Sequence, residues 1–281
     1  MTKNVFLYHN HCDDGFGAAW SAWKKFGNKA EYIGVNHGDP YPKGLEGKNV
    51  YTLDFAYPPR ETEEILKKAA HLAIIDHHKT AKDSIKLVSD HLYQMNRSGA
   101  VLSWQYFHPD KKVPKFLQYI EDADLWRWKL AHSREISTSL RSYDQDFKIW
   151  DKIAKDMEKV KTRKKYIEEG KVLLKSDERK VRHAVDNAVL VKFFGYKTFA
   201  SNSFHFSSQI GHKLYNKLPP IGIIWSERKN KRVISLRSNG TVDVSELAKK
   251  FPGGGGHKNS AGFELKLDQK LPWEVISDKL V

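Results

Sequence analysis

The sequence predicts an α/β protein with a parallel-sheet N-terminal domain, a helical connector and a smaller α/β C-terminal domain. Short apolar strand patterns alternate with helical patterns over the first hundred residues, which is typical of a parallel sheet with right-handed crossovers. A charge-dense stretch with helical spacing follows, and strand patterns return after it. A chain of 281 residues can bury a sizeable core without disulfides or structural metals.

In the first half of the chain, short apolar runs predict strands and apolar i, i+3, i+4 spacing predicts the helices between them. The strands cover residues 4–8, 31–35, 50–53 and 72–75, and the helices cover residues 17–26, 60–70, 100–107 and 115–123. Three of these strands run directly into Asp or His residues. Ligands of parallel sheets bind beyond the carboxyl ends of the strands, so we expect the chemistry at this edge.

A long helical connector is predicted where Trp150, Ile153 and Met157 recur at helical spacing among many charged residues. Beyond it, strands are predicted at 189–194, 221–225, 233–236 and 263–267, and helices at 207–218 and 244–251. The predicted domains are therefore residues 1–143 and 186–281, with the connector over 144–185.

Composition and charge limit the function classes. The chain has 48 Lys and Arg against 34 Asp and Glu, a net charge of +14 that favours polyanionic partners such as nucleic acid or nucleotides. No apolar run approaches the roughly 20 residues that span a bilayer, which excludes a membrane-spanning protein. The N-terminus lacks the apolar region of a secretory signal, and the single Cys12 cannot form an internal disulfide, so a cytoplasmic location is expected.

The strongest chemical signal is a set of carboxylates and imidazoles at the predicted strand ends. Such donors suit Mn²⁺ or Mg²⁺ better than the thiolate-rich sites that select structural zinc. Five or six of them indicate two ions about 3.5–4 Å apart that clamp the oxygens of a phosphoryl displacement, with Asp54 as the bridge. Each residue alone is better explained as polar surface, but three consecutive strand ends favour a site. The set is His9, Asp14, Asp54, His77, His78 and Asp124.

Several motifs together make the chain resemble the DHH phosphoesterase superfamily over nearly its whole length. Asp76-His77-His78 matches the motif that names the family, and Tyr8-His9 followed by Asp14-Gly15-Phe16-Gly17 matches its first motif. Asp54 and the Asp124 of Glu121-Asp122-Ala123-Asp124 match the second and fourth motifs. The far end is similar to the DHH-associated domain, with Ser235-Leu236-Arg237-Ser238, Val244-Ser245-Glu246-Leu247-Ala248 and Gly253-Gly254-Gly255-Gly256-His257-Lys258.

The resemblance implies a catalytic N-terminal domain that binds two Mn²⁺ ions, with Mg²⁺ as an alternative, and a C-terminal domain that holds the substrate across a cleft. The ligands it implies are His9, Asp14, Asp54, His77 and Asp124. It places His78 at the scissile phosphate, so the catalytic residues expected are Asp54, Asp76 and His78. A water molecule activated by the ions would attack a phosphodiester without a covalent enzyme intermediate.

The chain departs from the family pattern next to the first motif. Many members have Asp-x-Asp-Gly where this sequence reads Cys12-Asp13-Asp14-Gly15, so Cys12 occupies the place of the first aspartate. A thiol is a softer ligand than a carboxylate, which affects one of the two metal positions. Asp13 would substitute if the turn shifted by one residue, and His11 is also within reach. The alternative is that Cys12 is a small residue packed beside the site.

Three features of the sequence predict phosphate binding. The glycine run with Gly255 and Gly256, followed by His257, lets backbone N–H groups approach an anion closely. Arg237 follows an apolar strand, and its planar guanidinium matches two phosphate oxygens. Ser98 opens a predicted helix, so either free N–H groups there face a phosphate or Ser98 simply caps the helix.

The expected function is a Mn²⁺-dependent phosphodiesterase that degrades short single-stranded oligonucleotides to mononucleotides. The alternatives are a hydrolase of cyclic dinucleotides or of 3′-phosphoadenosine 5′-phosphate, and a non-catalytic nucleotide-binding protein of the same fold. The expected partner is an oligonucleotide or nucleotide substrate; no protein partner is required, and a homodimer is left open.

Overall fold

The computed structural model describes residues 3–36 and 38–277, which belong to two compact units, Met1–Leu174 and Lys175–Val281. A long helix, Val160–Asp186, crosses from the first unit into the second. The division into a catalytic domain, a connector and a substrate-binding domain remains a prediction. None of the helices among the described residues is long and apolar enough to cross a membrane.

The N-terminal unit is built on a five-stranded parallel sheet with the order β2-β1-β3-β4-β5. Its strands are β1 (Asn4–His9), β2 (Glu31–Val35), β3 (Asn49–Leu53), β4 (His71–Asp76) and β5 (Asp90–Tyr93). The three strands that carry the predicted ligands, β1, β3 and β4, are adjacent. Their carboxyl ends therefore meet at one edge of the sheet, as the sequence predicts.

In the part of the chain that the structure describes, eight α-helices accompany this sheet or follow it. They are α1 (Asp13–Phe26), α2 (Pro59–Lys68), α3 (Lys82–Ile85), α4 (Gly99–Phe107), α5 (Lys115–Asp124), α6 (Ser133–Leu140), α7 (Phe147–Glu158) and α8 (Val160–Asp186). The two faces of the sheet are buried in separate apolar clusters, one around Val5, Leu7 and Ile74 and the other around Phe6, Leu53 and Ile75. Strands buried on both faces explain why the sequence shows continuous apolar runs rather than alternation.

The C-terminal unit contains a seven-stranded mixed sheet in the order β10-β11-β9-β8-β7-β6-β12. Only β7 and β8 pair in parallel; the other neighbours are antiparallel. The strands are β6 (Val189–Phe193), β7 (Tyr196–Asn202), β8 (Ile221–Arg228), β9 (Lys231–Ser238), β10 (Gly255–His257), β11 (Ser260–Lys266) and β12 (Glu274–Ser277), with helices α9 (Ser207–Lys217) and α10 (Val244–Ala248). The predicted α/β class, with a parallel N-terminal sheet and a smaller C-terminal α/β domain, is confirmed.

Several elements differ from the sequence prediction. The connector is two helices that break at Lys159, because that residue adopts extended backbone with φ −103° and ψ 128°. Helix α1 begins at Asp13 rather than Gly17, since Asp13 and Asp14 occupy its first turn, where acidic side chains are favoured. The sequence patterns missed α3, β5, α6, β7, β10 and β12.

Candidate metal centre and phosphate site

The register of the N-terminal sheet places three predicted site residues at one level. Tyr8 pairs with Leu53, and Leu53 pairs with Ile75. The next residues along these strands are His9, Asp54 and Asp76. Their side chains are therefore delivered to the same edge by backbone pairing alone.

Asp54 lies at the centre of this edge. Its Oδ2 is 3.4 Å from Nδ1 of His9 and its Oδ1 is 3.2 Å from Nε2 of His77, while its side chain is only 1% exposed. Asp54 has a left-handed backbone with φ 63°, and its N–H donates to the Ile75 carbonyl at 2.9 Å. A strained, buried carboxylate at a strand end is typical of a functional position.

The donor atoms fall into groups with the spacing of metal ligands. His9, Cys12 and Asp54 form one group, and Asp14, His77 and Asp124 form a second, with all donor atoms of each group within 4.8 Å of one another. A third group within the N-terminal unit contains Asp54, Asp76, His77 and His78, so Asp54 and His77 each belong to more than one group. Nε2 of His77 is 3.7 Å from both Asp14 Oδ2 and Asp124 Oδ2. The geometry brings together all five predicted ligands and Cys12.

Asp13 and His11, the other candidates near the first motif, fall outside these groups within the part of the chain that the structure describes. His11 is exposed, with a left-handed φ of 55°. Burial raises the pKa of Asp13 to about 6, although the charge of Arg141 lowers it. Cys12, not Asp13, therefore points into the cluster.

The clustered side chains of the site shift one another's pKa values. Burial, and then the charge of Asp54, raise the pKa of Asp14 well above its usual value. Burial also raises the pKa of Asp124 and, together with the neighbouring carboxylates, that of Cys12. Burial lowers the pKa of His77, but Asp54 beside it reverses this and raises the pKa to about 10. A divalent cation would act against these pKa shifts, because it favours ionised carboxylates and neutral imidazole.

Two further observations indicate that the residues of this site suit divalent cations. Oδ1 of Asp54 and Oδ2 of Asp76 are buried and accept no hydrogen bond of good geometry from the described residues. Carboxylates and imidazoles in this ratio are the donors that Mn²⁺ and Mg²⁺ accept, and the thiol of Cys12 adds one softer donor.

One carboxylate oxygen of Asp76 fixes the ring of His78. Its Oδ1 accepts from the N–H groups of His77 at 2.7 Å and His78 at 3.2 Å, and it lies 2.7 Å from Nδ1 of His78. Burial lowers the pKa of His78, but the charge of Asp76 outweighs burial and raises it. A histidine held through Nδ1 presents its Nε2 in a defined direction.

The start of α4 supports the metal centre directly. Ser98 caps the helix, with its Oγ accepting from the Val101 N–H at 3.4 Å. The Gly99 and Ala100 N–H groups donate to the carboxylate of Asp14 at 2.6 and 2.9 Å. These N–H groups are therefore already bonded to the side chain of a predicted ligand, which favours the capping interpretation of Ser98 over phosphate binding.

Gly99 is required by its contact with Asp54. A Cβ at this position would lie 2.6 Å from both Cβ and Oδ1 of Asp54. We expect Gly99→Ala to displace Asp54 and to weaken Mn²⁺ affinity about 10- to 100-fold, the usual effect of losing support behind metal ligands. Isothermal titration with Mn²⁺ measures this, and circular dichroism checks that the variant is folded. Unchanged affinity in a folded variant would contradict this role for Gly99.

In the C-terminal unit, the sheet register aligns the predicted phosphate-binding residues across neighbouring strands. His257 of β10 pairs with Ser260 of β11, and Ser260 pairs with Arg237 of β9. Directly paired residues share one face of a sheet, so His257 and Arg237 lie on the same face two strands apart. A Cβ on Gly256 would meet the Ser260 carbonyl oxygen at 2.6 Å, so only glycine fits beside this row.

Arg237 is a cation without a counter-ion among the described residues. Its Nε and Nη2 atoms donate to the hydroxyl of Ser208 at 3.3 and 3.0 Å, and Nη2 donates to Ser207 at 3.3 Å. Both serines open helix α9, whose N-terminus carries a partial positive charge. Burial lowers the pKa of Arg237 to about 10, which leaves it charged at neutral pH. This uncompensated charge beside a helix N-terminus favours an anionic ligand.

Sequence reasoning missed the residues that act behind the site. Gly99 approaches Asp54, Gly211 leaves space for the Arg237 side chain, and Ser207 and Ser208 hold its guanidinium. Trp126 and Trp128 are half-buried and contact each other edge to face, with ring centroids 5.0 Å apart. A glycine inside or directly before a predicted helix is the one sign in the sequence that could have indicated such positions. It does not say which neighbouring side chain each glycine makes room for.

Comparisons with known proteins give one domain match and two curated relatives. Residues 186–273 match the model of the DHHA1 domain. The chain is 29% identical to the uncharacterized protein R106 of Acanthamoeba polyphaga mimivirus over 98% of this chain and 70% of R106. It is 25% identical to the oligoribonuclease NrnB of Bacillus subtilis over 92% of this chain and 72% of NrnB.

A solved structure shows the same fold at low identity. An exopolyphosphatase-related protein from Bacteroides fragilis superimposes with a TM-score of 0.55 and 14% identity, covering 96% of this chain and 88% of that one. This likeness concerns the fold. The domain match and the curated relatives confirm the resemblance read from the motifs. The chain carries a DHHA1 domain over residues 186–273 and is a distant homologue of the NrnB oligoribonuclease.

Proposed function

We propose that this protein is a Mn²⁺-dependent phosphodiesterase that hydrolyses short single-stranded oligonucleotides to mononucleotides. The observation that carries the proposal is the convergence of two ligand groups, one around His9 and Asp54 and one around Asp14, His77 and Asp124. Two ions held this way, with Mg²⁺ as an alternative to Mn²⁺, supply charge neutralisation at a phosphoryl group and lower the pKa of a bound water.

The protein's own residues then have distinct roles. Asp54 offers one oxygen toward His9 and the other toward His77, which suits a ligand shared by two ions. His78, whose Nδ1 is held by Asp76, is a donor to an oxygen of the scissile phosphate through Nε2. In the C-terminal unit Arg237 binds a second phosphate of the substrate, because its charge has no carboxylate partner among the described residues.

The name of NrnB supports an oligoribonucleotide as the substrate. The net charge of +14 supports a polyanion in general. We place the activity in the cytoplasm and propose no protein partner. The competing substrates are cyclic dinucleotides and 3′-phosphoadenosine 5′-phosphate, and the competing class is a nucleotide-binding protein without catalysis.

Parallel assays with Mn²⁺ separate these functions. We expect the purified protein to hydrolyse di- to pentanucleotides faster than long DNA, cyclic dinucleotides or 3′-phosphoadenosine 5′-phosphate. His77→Ala removes a ligand and serves as the inactive variant, while His91→Ala, at an exposed histidine of β5, is the matched control. Binding of pentanucleotides without cleavage would support the non-catalytic class, and a preference for long DNA would refute the choice of substrate.

We also propose that Cys12 is a ligand of the ion held by His9 and Asp54. Its sulfur lies in the same 4.8 Å group as their donor atoms. Titration of Co²⁺ into the protein is therefore expected to produce a near-ultraviolet thiolate charge-transfer band, because thiolate coordinates softer ions well. Cys12→Ser should lose the band and Cys12→Asp should lose it while retaining Mn²⁺ binding. A band that persists in Cys12→Ser would contradict ligation, since the chain has no other cysteine.

A further inference from the structure

Two arginines near the metal centre share one carboxylate. Nε of Arg97 lies 2.9 Å from Oε2 of Glu121, and Nη1 of Arg127 lies 3.1 Å from Oε1 of the same residue. The Glu121 side chain is 10% exposed, whereas those of Arg97 and Arg127 are 31% and 36% exposed. One buried carboxylate cannot neutralise two cations, so this cluster presents a net positive charge to solvent.

Backbone hydrogen bonds place the cluster directly beside the metal ligands. The Ser98 N–H donates to Oε2 of Glu121 at 3.1 Å, and the next N–H along the chain, that of Gly99, donates to Oδ2 of Asp14 at 2.6 Å. The Glu121 and Asp14 carboxylates are therefore held by adjacent peptide groups. Arg97 precedes Ser98, so its side chain starts at the rim of the site.

The two arginines are not equivalent. Both terminal nitrogens of the Arg127 guanidinium already donate hydrogen bonds within the protein. Nη1 donates to the carboxylate of Glu121, and Nη2 donates to the carbonyl of Asn96. Arg97 is close to Glu121 only through Nε, and this contact lacks hydrogen-bond geometry. The described residues offer no acceptor to its terminal nitrogens. The ion pair with Glu121 thus keeps Arg97 in place. Its two terminal nitrogens remain available to bind an anion such as phosphate with two parallel hydrogen bonds.

A hydrogen-bonded turn holds the backbone of Arg127 in place. Arg127 lies between Trp126 and Trp128, which both have left-handed backbones with φ 55° and 52°. Asp122 closes the turn, since its carbonyl accepts from the Arg127 N–H at 2.9 Å and its buried carboxylate accepts from the next two N–H groups after Trp128. Bulky residues rarely adopt this conformation, and they persist in it at positions that the surrounding structure fixes.

We propose that Arg97 binds a substrate phosphate next to the scissile one, and that Glu121, anchored by Arg127, positions it. This inference rests on the proposed function and sharpens its substrate class. The preferred substrate is a strand with phosphates on both sides of a nucleoside, so a trinucleotide or longer oligonucleotide is a better substrate than a dinucleoside monophosphate with one phosphate.

The test compares Arg97→Ala with Lys129→Ala, which removes an exposed positive charge two residues after Arg127. We expect Arg97→Ala to lower kcat/KM for a pentanucleotide about 10- to 100-fold, the usual effect of losing a charged hydrogen bond, and to lower it at least tenfold less for a dinucleoside monophosphate. Arg97→Lys should be intermediate, because the charge remains without the fork. Lys129→Ala should match the wild type.

Binding supplies a second readout that does not depend on turnover. With Ca²⁺ in place of Mn²⁺, fluorescence anisotropy of a labelled pentanucleotide gives Kd at several salt concentrations. Loss of one phosphate contact should reduce the slope of log Kd against log salt by about 0.7, the value for single strands. The role of Arg97 would be overturned if Arg97→Ala lowered kcat/KM equally for the pentanucleotide and the dinucleoside monophosphate. It would also be overturned if the slope of log Kd against log salt did not change. A wild type that hydrolyses neither substrate would refute the proposed function instead, and the slope would still decide whether Arg97 contacts a phosphate.

Discussion

Asp54→Asn is expected to reduce phosphodiester hydrolysis by more than about 10³-fold, because even residues behind metal ligands contribute about 10- to 100-fold. The amide keeps the shape of the side chain but cannot supply a second anionic oxygen. It also removes the carboxylate that raises the pKa of His77 to about 10. The metal affinity of both ligand groups should fall together, because Asp54 contacts His9 on one side and His77 on the other.

Folding should survive this substitution. Asn tolerates the left-handed φ of 63° at position 54 as well as Asp does, and the backbone bond to Ile75 is unaffected. Asp110→Asn is the matched control, since it makes the same chemical change at an exposed carboxylate. Steady-state kinetics and Mn²⁺ titration measure the effect. Activity within tenfold of the wild type in a folded Asp54→Asn protein would exclude Asp54 as a shared ligand.

Arg237→Met should raise KM for a pentanucleotide about 10- to 150-fold, corresponding to a charged hydrogen-bonded contact of about 1.5–3 kcal/mol. Met keeps aliphatic volume where Arg237 packs against Gly211, so the change removes mainly the charge and the fork. The effect should fall on KM more than on kcat, because Arg237 lies in the C-terminal unit and belongs to neither ligand group.

Arg228→Met is the control for this variant. Arg228 is exposed on β8, beside the hairpin that precedes β9, whereas Arg237 lies near the far end of β9. Both substitutions change the net charge of the same unit equally. If Arg228→Met raised KM as much as Arg237→Met, binding would depend on overall charge and not on a phosphate site at Arg237.

The sequence predicted the parts of the fold where local pattern and burial agree. The apolar strands before His9, Asp54 and Asp76 are short and continuous because both of their faces are buried, and the structure places them side by side. Three ionisable residues that follow adjacent parallel strands must approach one another. This part of the candidate site therefore followed from strand prediction alone.

Other elements depend on tertiary pairing that no local pattern reveals. Strand β10 consists of Gly255, Gly256 and His257, which have little intrinsic strand preference, and it exists because β11 pairs with it. Strand β5 and helix α6 are short and rich in polar residues, so periodicity could not identify them. The arginine cluster around Glu121 joins residues 24 positions apart in the chain, a contact that requires the folded α5.

The proposed activity depends on two cations bound at one edge of the N-terminal sheet. An anomalous difference map from crystals soaked in Mn²⁺ tests this most directly. We expect two peaks about 3.5–4 Å apart on either side of the Asp54 carboxylate, one near His9 and Cys12 and the other near Asp14, His77 and Asp124. A map without peaks there at saturating Mn²⁺, or with ions bound elsewhere only, would contradict the metal centre and the function built on it.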